Sequence, residues 1–144
     1  MKTIIVTGSA ATGKTTIAKK LAKEKNYKYI DLNSLIKKHK LYDFYNKSLK
    51  TYEVDTKKLN KFLIDLIETS KSNLIIDSHL SHYLPKKYVN LCIVTKCNLK
   101  ELKKRLQKRK YSKNKIRENL DAEILDTCLI EAKKHKIKII DTSA

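Results

Sequence analysis

A glycine-containing segment near the N-terminus combines the residue types that bind phosphate. It reads GSAATGKT from Gly8 to Thr15 and matches the pattern G-x-x-x-x-G-K-[ST]. In this pattern, backbone N–H groups and the positive end of the following helix surround phosphate oxygens. The side chain of Lys14 adds a positive charge, and the hydroxyl of Thr15 is placed to bind Mg²⁺. Because Gly8 and Gly13 are the only glycines in the chain, a chance match is rare, and the sequence predicts a phosphate-binding loop.

An acidic residue, Asp77, directly follows the apolar run 74–76. A nucleotide-bound Mg²⁺ is commonly approached by a carboxylate at the end of a core strand, which makes Asp77 a candidate for this role. A carboxylate at a strand end can also cap a loop, and this alternative stays open. His79 and His82 follow closely, but no third strong ligand lies nearby. We therefore interpret the two histidines as polar residues that line the site or pack a loop, rather than as zinc ligands.

Positive charge is abundant, but arginine is scarce. Lysine and arginine number 33 against 15 acidic residues, for a formal net charge of +18, and only three of the 33 are arginine. A solvated lysine-rich surface and a surface that binds a polyanion explain this charge equally well. Arg105 and Arg109 lie four residues apart on a predicted helix and project from one face. Phosphate contact is favoured for Arg109 more than for Arg105, which could instead pair with Glu101.

Short apolar runs alternate with helical patterns along the chain. Strands are predicted over residues 3–7, 27–30, 73–77, 88–94 and 137–140, and helices over 14–25, 32–38, 56–69, 98–108 and about 112–134. The apolar continuity of the strands predicts a parallel sheet covered on both faces, and therefore an α/β fold. No linker or repeat interrupts the pattern, which predicts a single domain over residues 1–144.

A polar segment, residues 41–54, separates two of the predicted helices and carries Tyr42, Tyr45 and Tyr52. These rings could stack on a nucleotide base or anchor the segment to the core.

The three cysteines show no disulfide or zinc-type spacing, and no apolar run approaches the ~20 residues of a membrane span. We therefore expect a cytoplasmic protein without a membrane segment.

Five segments together resemble the small P-loop adenylate kinases of the isoenzyme 6 type, in their archaeal form. They read GSAATGKTT (8–16), YIDLNSL (29–35), LYD (41–43), IIDSHLSHYLP (75–85) and RLQKRKYSKNKIRENLDAEIL (105–125). The resemblance covers nearly the whole chain. It implies a nucleoside monophosphate kinase fold, a three-layer sandwich with a parallel five-stranded sheet. It also implies a segment that binds the nucleoside monophosphate over about 30–53 and a short lid over about 108–118.

The resemblance also implies roles for individual residues. The phosphate site would consist of Ala11, Gly13, Lys14, Thr15 and Thr16. Asp77 would hold Mg²⁺ through a water molecule, together with the Thr15 hydroxyl. His79 matches a family position linked to ATP hydrolysis, Arg109 would contact ATP phosphates, and Lys37 would steer the phosphate of the acceptor.

The resemblance implies phosphoryl transfer from Mg·ATP to AMP, with ATPase activity. It also implies a role in maturation of the small ribosomal subunit, with a platform ribosomal protein and pre-ribosomal RNA as partners. A second hypothesis is an ATP-gated assembly factor with little kinase activity. A third is a basic RNA-binding protein whose nucleotide loop is vestigial.

Three departures from the family pattern modify these expectations. Ala10 and Ala11 replace Pro and Gly in the loop of relatives, and a positive φ at Ala11 would cost about 1 kcal/mol or more. Lys37 stands where many relatives have an arginine, so the charge is kept but the bidentate fork is lost. Relatives continue into a further helix beyond Ala144, so we expect one face of the sheet to be thinly covered.

Overall fold

A computed structural model describes residues 1–48 and 51–143 and contains a parallel five-stranded sheet. The strands are β1 (Thr3–Gly8), β2 (Lys28–Asp31), β3 (Phe44–Asn46), β4 (Thr51–Glu53), β5 (Leu74–Asp77), β6 (Leu91–Lys96) and β7 (Ile137–Asp141). The helices are α1 (Lys14–Lys25), α2 (Leu32–Lys38), α3 (Thr56–Thr69), α4 (Leu99–Lys108), α5 (Lys113–Ile124) and α6 (Thr127–Glu131). Strands β3 and β4 form a separate antiparallel hairpin.

The main sheet has the strand order β2-β5-β1-β6-β7, and every neighbouring pair is parallel. Strand β1 lies at its centre and is buried along its whole length. On one face the sheet packs against apolar side chains of α2 and α3, and on the other against α1. This arrangement confirms the predicted three-layer α/β fold.

Side-chain caps begin four of the helices, and each of these helices starts within one residue of its predicted start. A backbone N–H of the first turn donates to each cap: Ser34 to Asp31, Lys57 to Asp55, Glu101 to Asn98 and Lys115 to Ser112. Each cap satisfies a donor that the helix itself leaves without a partner. Capping is a local interaction, which explains why the sequence pattern located these helix starts correctly.

The long helix predicted after Ser112 is wrong in its second half. Helix α5 ends at Ile124, and the chain turns at Asp126, which has a left-handed φ of 52°, before α6 begins. The ammonium group of Lys96, at the end of β6, lies 2.6 Å from the Asp126 carboxylate and donates to the backbone oxygen of Glu123. These tertiary contacts stabilise the break, and no helical periodicity could reveal them.

Two further differences lie outside the helices. Strand β6 begins at Leu91 rather than at residue 88, because residues 86–88 form a 3₁₀ turn after Pro85. The β3–β4 hairpin lies within the polar segment 41–54, for which no strand was predicted. Residues 49 and 50 of the expected monophosphate-binding segment lie outside the described residues. Within the described chain, no helix has both the length and the apolar character needed to cross a membrane.

One edge of the sheet is thinly covered by the described residues. Ile139 on the edge strand β7 is 53% exposed, and Ile130 on α6 is 54% exposed.

Glu123 on α5 is a buried acidic residue, and its carboxylate makes three contacts. It lies 2.9 Å from the Lys96 ammonium and accepts hydrogen bonds from the backbone N–H of Cys97 and the hydroxyl of Ser9. Glu123 thus joins α5 to β6 and to the loop after β1.

Substitution Glu123→Gln should lower the free energy of unfolding by about 1–3 kcal/mol, because a buried charged acceptor is lost while its donors remain. Urea denaturation measures the change. Glu118→Gln is the matched control, since it makes the same substitution at an exposed position of the same helix. Equal stability of the two variants would contradict the joining role of Glu123.

Candidate active site

A cavity of about 530 Å³ opens at the carboxyl ends of the parallel strands. Parallel α/β sheets typically bind ligands at this edge. The walls include every residue that the family resemblance placed in the site: Ala11, Gly13, Lys14, Thr15, Thr16, Lys37, Asp77, His79 and Arg109. The fold therefore brings these residues together, while their individual roles stay predictions.

The loop between β1 and α1 depends on backbone conformations that favour glycine. Gly8 has a φ of 148°, and a Cβ there would lie 2.8 Å from the backbone oxygen of Thr95. Gly13 has a φ of 88°. Ala11 adopts a left-handed φ of 64°. This conformation costs a residue with a Cβ about 1 kcal/mol or more of strain, as expected for Ala11 from the sequence. Its methyl group is buried against Leu102 and Leu106 of α4, and this packing offsets part of the strain.

Arg105 supports the phosphate loop from behind. Its guanidinium donates to the backbone oxygen of Ala11 at 3.2 Å and to both the hydroxyl and the backbone oxygen of Thr142, and it also pairs with Glu101. The Thr142 hydroxyl in turn donates to the backbone oxygen of Thr12 at 2.6 Å. Arg105 therefore does pair with Glu101, which was the alternative to phosphate contact in the sequence analysis. Its remaining hydrogen bonds also go to groups of the protein.

Arg109 takes a different position from Arg105. It lies just beyond the last residue of α4, and its guanidinium is 3.4 Å from the hydroxyl of Tyr111 at the cavity wall. Of the two arginines, therefore, only Arg109 lines the cavity, and the prediction that both face the ligand from one side of the helix is wrong. Helix α5 contributes Lys115 and Asn119 to the same wall. Sequence reasoning missed these two residues, although Lys115 and Asn119 are four apart and so share one face of a helix.

Lys14 extends along the inside of the loop, where its ammonium group donates to the backbone oxygen of Ser9 at 3.0 Å. Desolvation lowers the pKa of Lys14, while nearby Cys128 and Asp77 act in the opposite direction. A phosphate group bound in the loop would place a negative charge beside Lys14 and so stabilise its charged ammonium form.

Asp77 is 6% exposed, and two hydroxyl groups donate to its carboxylate. Thr15 and Tyr29 each donate to its Oδ2 atom, both at 2.7 Å. The Thr15 hydroxyl and this carboxylate are hard oxygen ligands at the phosphate loop, which fits Mg²⁺. Sequence reasoning missed Tyr29, because the contact depends on β2 lying next to β5, an order that the sequence does not reveal.

The two histidines after Asp77 occupy different environments. His79 lines the cavity with an exposed side chain, and desolvation and then the positive charge of Lys14 lower its pKa. His82 is fully buried, with Nδ1 2.6 Å from the Thr7 hydroxyl and Nε2 3.2 Å from the Glu131 carboxylate. His79 therefore lines the site, and His82 packs its loop against β1 and α6.

A second cavity of about 450 Å³ adjoins the first and shares Lys37 and His79 with it. The ring of Tyr52 lies there, with its centroid 4.5 Å from that of Tyr42 and 5.0 Å from that of Tyr45. The Lys37 ammonium is 5.7 Å from the centre of the Tyr52 ring. Tyr42 packs against the core and so anchors the segment, whereas Tyr45 and Tyr52 line the cavity.

Comparison with known proteins places this site in context. A family model described as an AAA domain matches residues 4–126. A protein of Methanocaldococcus jannaschii named "Putative adenylate kinase" is 44% identical over 140 residues, which cover 97% of this chain and 76% of that protein. A Dictyostelium discoideum protein named "Adenylate kinase isoenzyme 6 homolog" is 33% identical over 130 residues, covering 90% and 73% respectively.

Among solved structures, the shikimate kinase of Acinetobacter baumannii in complex with shikimate superposes with a TM-score of 0.69 at 15% identity, covering 100% of this chain and 85% of that one. This likeness concerns the fold. Together with the parallel sheet and the phosphate loop, it defines a P-loop kinase fold. Within that class, the chain belongs to the adenylate kinase isoenzyme 6 family.

The pKa of His79 should lie below its ordinary value of 6.5 in the free protein, because desolvation and the positive charge of Lys14 disfavour the charged imidazole. At pH 7–8 the imidazole is then mostly neutral. The measurement is a nuclear magnetic resonance titration of the histidine ring protons, with the signal assigned by its loss in His79→Gln. A midpoint at or above the ordinary value of 6.5 would contradict the electrostatic description of this cavity.

Proposed function

We propose that this chain is a nucleoside monophosphate kinase that transfers a phosphoryl group from Mg·ATP to AMP and forms two ADP. The observation that carries the proposal is the composition of two adjoining cavities. The phosphate loop with Lys14 lies in the first, Lys37 lines both, and the aromatic side chains of Tyr45 and Tyr52 line the second. The names of the relatives in the isoenzyme 6 family support adenine nucleotides as substrates.

Catalysis in this reaction consists mainly of positioning two nucleotides and stabilising charge on the moving group. Lys14 and Arg109 would neutralise phosphate charge, and the loop N–H groups would bind the phosphate oxygens. Lys37 would hold the phosphate of the acceptor. Thr15 would bind Mg²⁺ directly and Asp77 through water, and the ion would neutralise charge on the β- and γ-phosphates. No covalent enzyme intermediate is needed.

The test incubates the purified chain with Mg·ATP, with and without AMP, and measures ADP and free phosphate. We expect two ADP for each AMP consumed, without matching phosphate release. Lys14→Ala should reduce the rate by a factor on the order of 100 or more, because a charge-stabilising group is lost. Turnover that is independent of Lys14 would contradict any catalytic role of this loop.

We also propose a secondary ATPase activity. Lys37 offers a single ammonium group where the resemblance places a guanidinium fork in many relatives, so the acceptor would be held less firmly and water could compete for the phosphoryl group. His79 lines the same cavity and resembles the family position linked to hydrolysis. Phosphate release without AMP, abolished in Lys14→Ala, would support this activity, and its absence would exclude it under the assay conditions.

Assembly of the small ribosomal subunit is the second candidate function. The net charge of +18 is compatible with a polyanionic partner such as pre-ribosomal RNA, and the family resemblance adds a platform ribosomal protein. This function predicts phosphate release that is stimulated by that protein or RNA and depends on Lys14. If neither the ribosomal protein nor the RNA changed the rate of phosphate release, the assembly function would be contradicted.

Replacing Lys37 separates the acceptor side from the donor side. Lys37→Ala should raise the KM for AMP by about 10- to 100-fold, because a charged hydrogen bond is lost. The KM for ATP should change little. Lys37→Arg is the matched variant and should lower the KM for AMP to the wild-type value or below it, since it restores a bidentate donor. Equal effects of Lys37→Ala on both substrates would contradict the assignment.

A further inference from the structure

Asp77 receives its two hydroxyl donors from different sides. Thr15 lines the cavity, at the start of α1. Tyr29 lies on the neighbouring strand β2 and is not among the described residues that line the cavity. Both hydroxyls donate to the same Oδ2 atom at 2.7 Å. Tyr29 therefore touches the carboxylate from outside the ligand-binding space.

The position of the Tyr29 hydroxyl is fixed by its surroundings. The strand register pairs Ile30 with Ile76 and Asp31 with Asp77, so Tyr29 precedes the site on the adjoining strand. Its ring packs against the apolar cluster on the α1 face, and the Lys19 ammonium lies 5.6 Å from the ring centre. Desolvation raises the pKa of Tyr29, as does its bond to Asp77, so the phenol keeps the proton that it donates.

The Thr15 hydroxyl has a second task in the proposed function, which is to bind Mg²⁺ through its oxygen. A lone pair of this oxygen would bind the ion while its O–H can still donate to Asp77, and the ammonium of Lys14 attracts the same carboxylate. Tyr29 is the second donor to Asp77, and its hydroxyl has no task at the ion. Its bond is compatible with nucleotide binding because it lies outside the cavity.

We propose that Tyr29 is a positioning residue for Asp77, which sets the Mg²⁺ dependence of ATP binding. This inference rests on the proposed function, since it assumes that Thr15 and Asp77 serve the ion. Tyr29 acts through Asp77 and touches no substrate. The hydroxyl alone carries the role, and the aromatic ring serves to hold it.

The test compares wild type, Tyr29→Phe and Tyr27→Phe. Tyr29→Phe removes the hydroxyl and keeps the ring beside Lys19. Tyr27 packs against the same apolar cluster, and its hydroxyl makes no hydrogen bond within the described residues, so Tyr27→Phe is the matched control. A fluorescent ATP analogue is titrated at a series of Mg²⁺ concentrations without acceptor, and again in the presence of a chelator. Thermal unfolding of each free protein is measured alongside.

We expect Tyr29→Phe to raise the Mg²⁺ concentration for half-maximal enhancement of ATP binding by about tenfold, since the lost bond involves a charged group. Binding in chelator should stay within twofold of wild type, and Tyr27→Phe should match wild type throughout. A Mg²⁺ dependence of Tyr29→Phe equal to that of Tyr27→Phe would overturn the inference. Equal weakening with and without Mg²⁺, together with a lowered melting temperature, would also overturn it, because it would show a structural role only.

The outcome for wild type tests the proposed function separately. If wild type binds the ATP analogue with no dependence on Mg²⁺, the assignment of Thr15 and Asp77 to the ion fails, and the role of Tyr29 fails with it. If wild type shows the dependence and Tyr29→Phe retains it unchanged, only the role of Tyr29 fails.

Discussion

The parallel pairing of β1 with β5 is the constraint on which the site depends. In this register Val6 lies opposite Asp77, two residues before β1 ends at Gly8. The chain then enters the phosphate loop, so the carboxylate and the start of α1 meet at one edge of the sheet. The 2.7 Å bond between Thr15 and Asp77 follows from this register. A slip of one residue would turn the Asp77 side chain to the opposite face.

The loop itself is a costly conformation that the rest of the chain stabilises. Its backbone N–H groups must point inward to bind an anion, which requires the left-handed conformation at Ala11 and Gly13. Arg105 and Thr142 satisfy backbone oxygens on the outer side of the loop. Glu123 accepts the hydroxyl of Ser9 near its beginning. These contacts hold the binding conformation in the free protein, so less ordering remains to be done when a nucleotide binds.

Local patterns in the sequence were sufficient for most of the framework. The phosphate loop, the capped starts of four helices and the parallel sheet each depend on residues close together in the chain or on simple apolar runs. Long-range polar contacts could not be found in this way. The end of α5 depends on Lys96, which is 30 residues away from Asp126, and the role of Arg105 depends on Thr142. Tyr29 reaches Asp77 only because β2 lies beside β5.

The candidate site was predicted better than the contacts that support it, for a physical reason. Residues that bind phosphate must have particular chemical types at particular spacings, and this requirement is visible in the sequence. A supporting contact can be made by any long polar side chain that reaches the right backbone group. Arg105 and Arg109 show the difference, since the same residue type four positions apart supports the loop in one case and lines the cavity in the other.

The bond between Thr142 and the backbone of Thr12 joins residues that are 130 positions apart. A contact of such sequence separation carries a larger loop-closure entropy than a local contact. During synthesis the ribosome releases the phosphate loop long before Thr142 emerges. The nascent chain therefore carries the complete nucleotide motif without its rear support, and it acquires the finished loop only when the last strand joins the sheet.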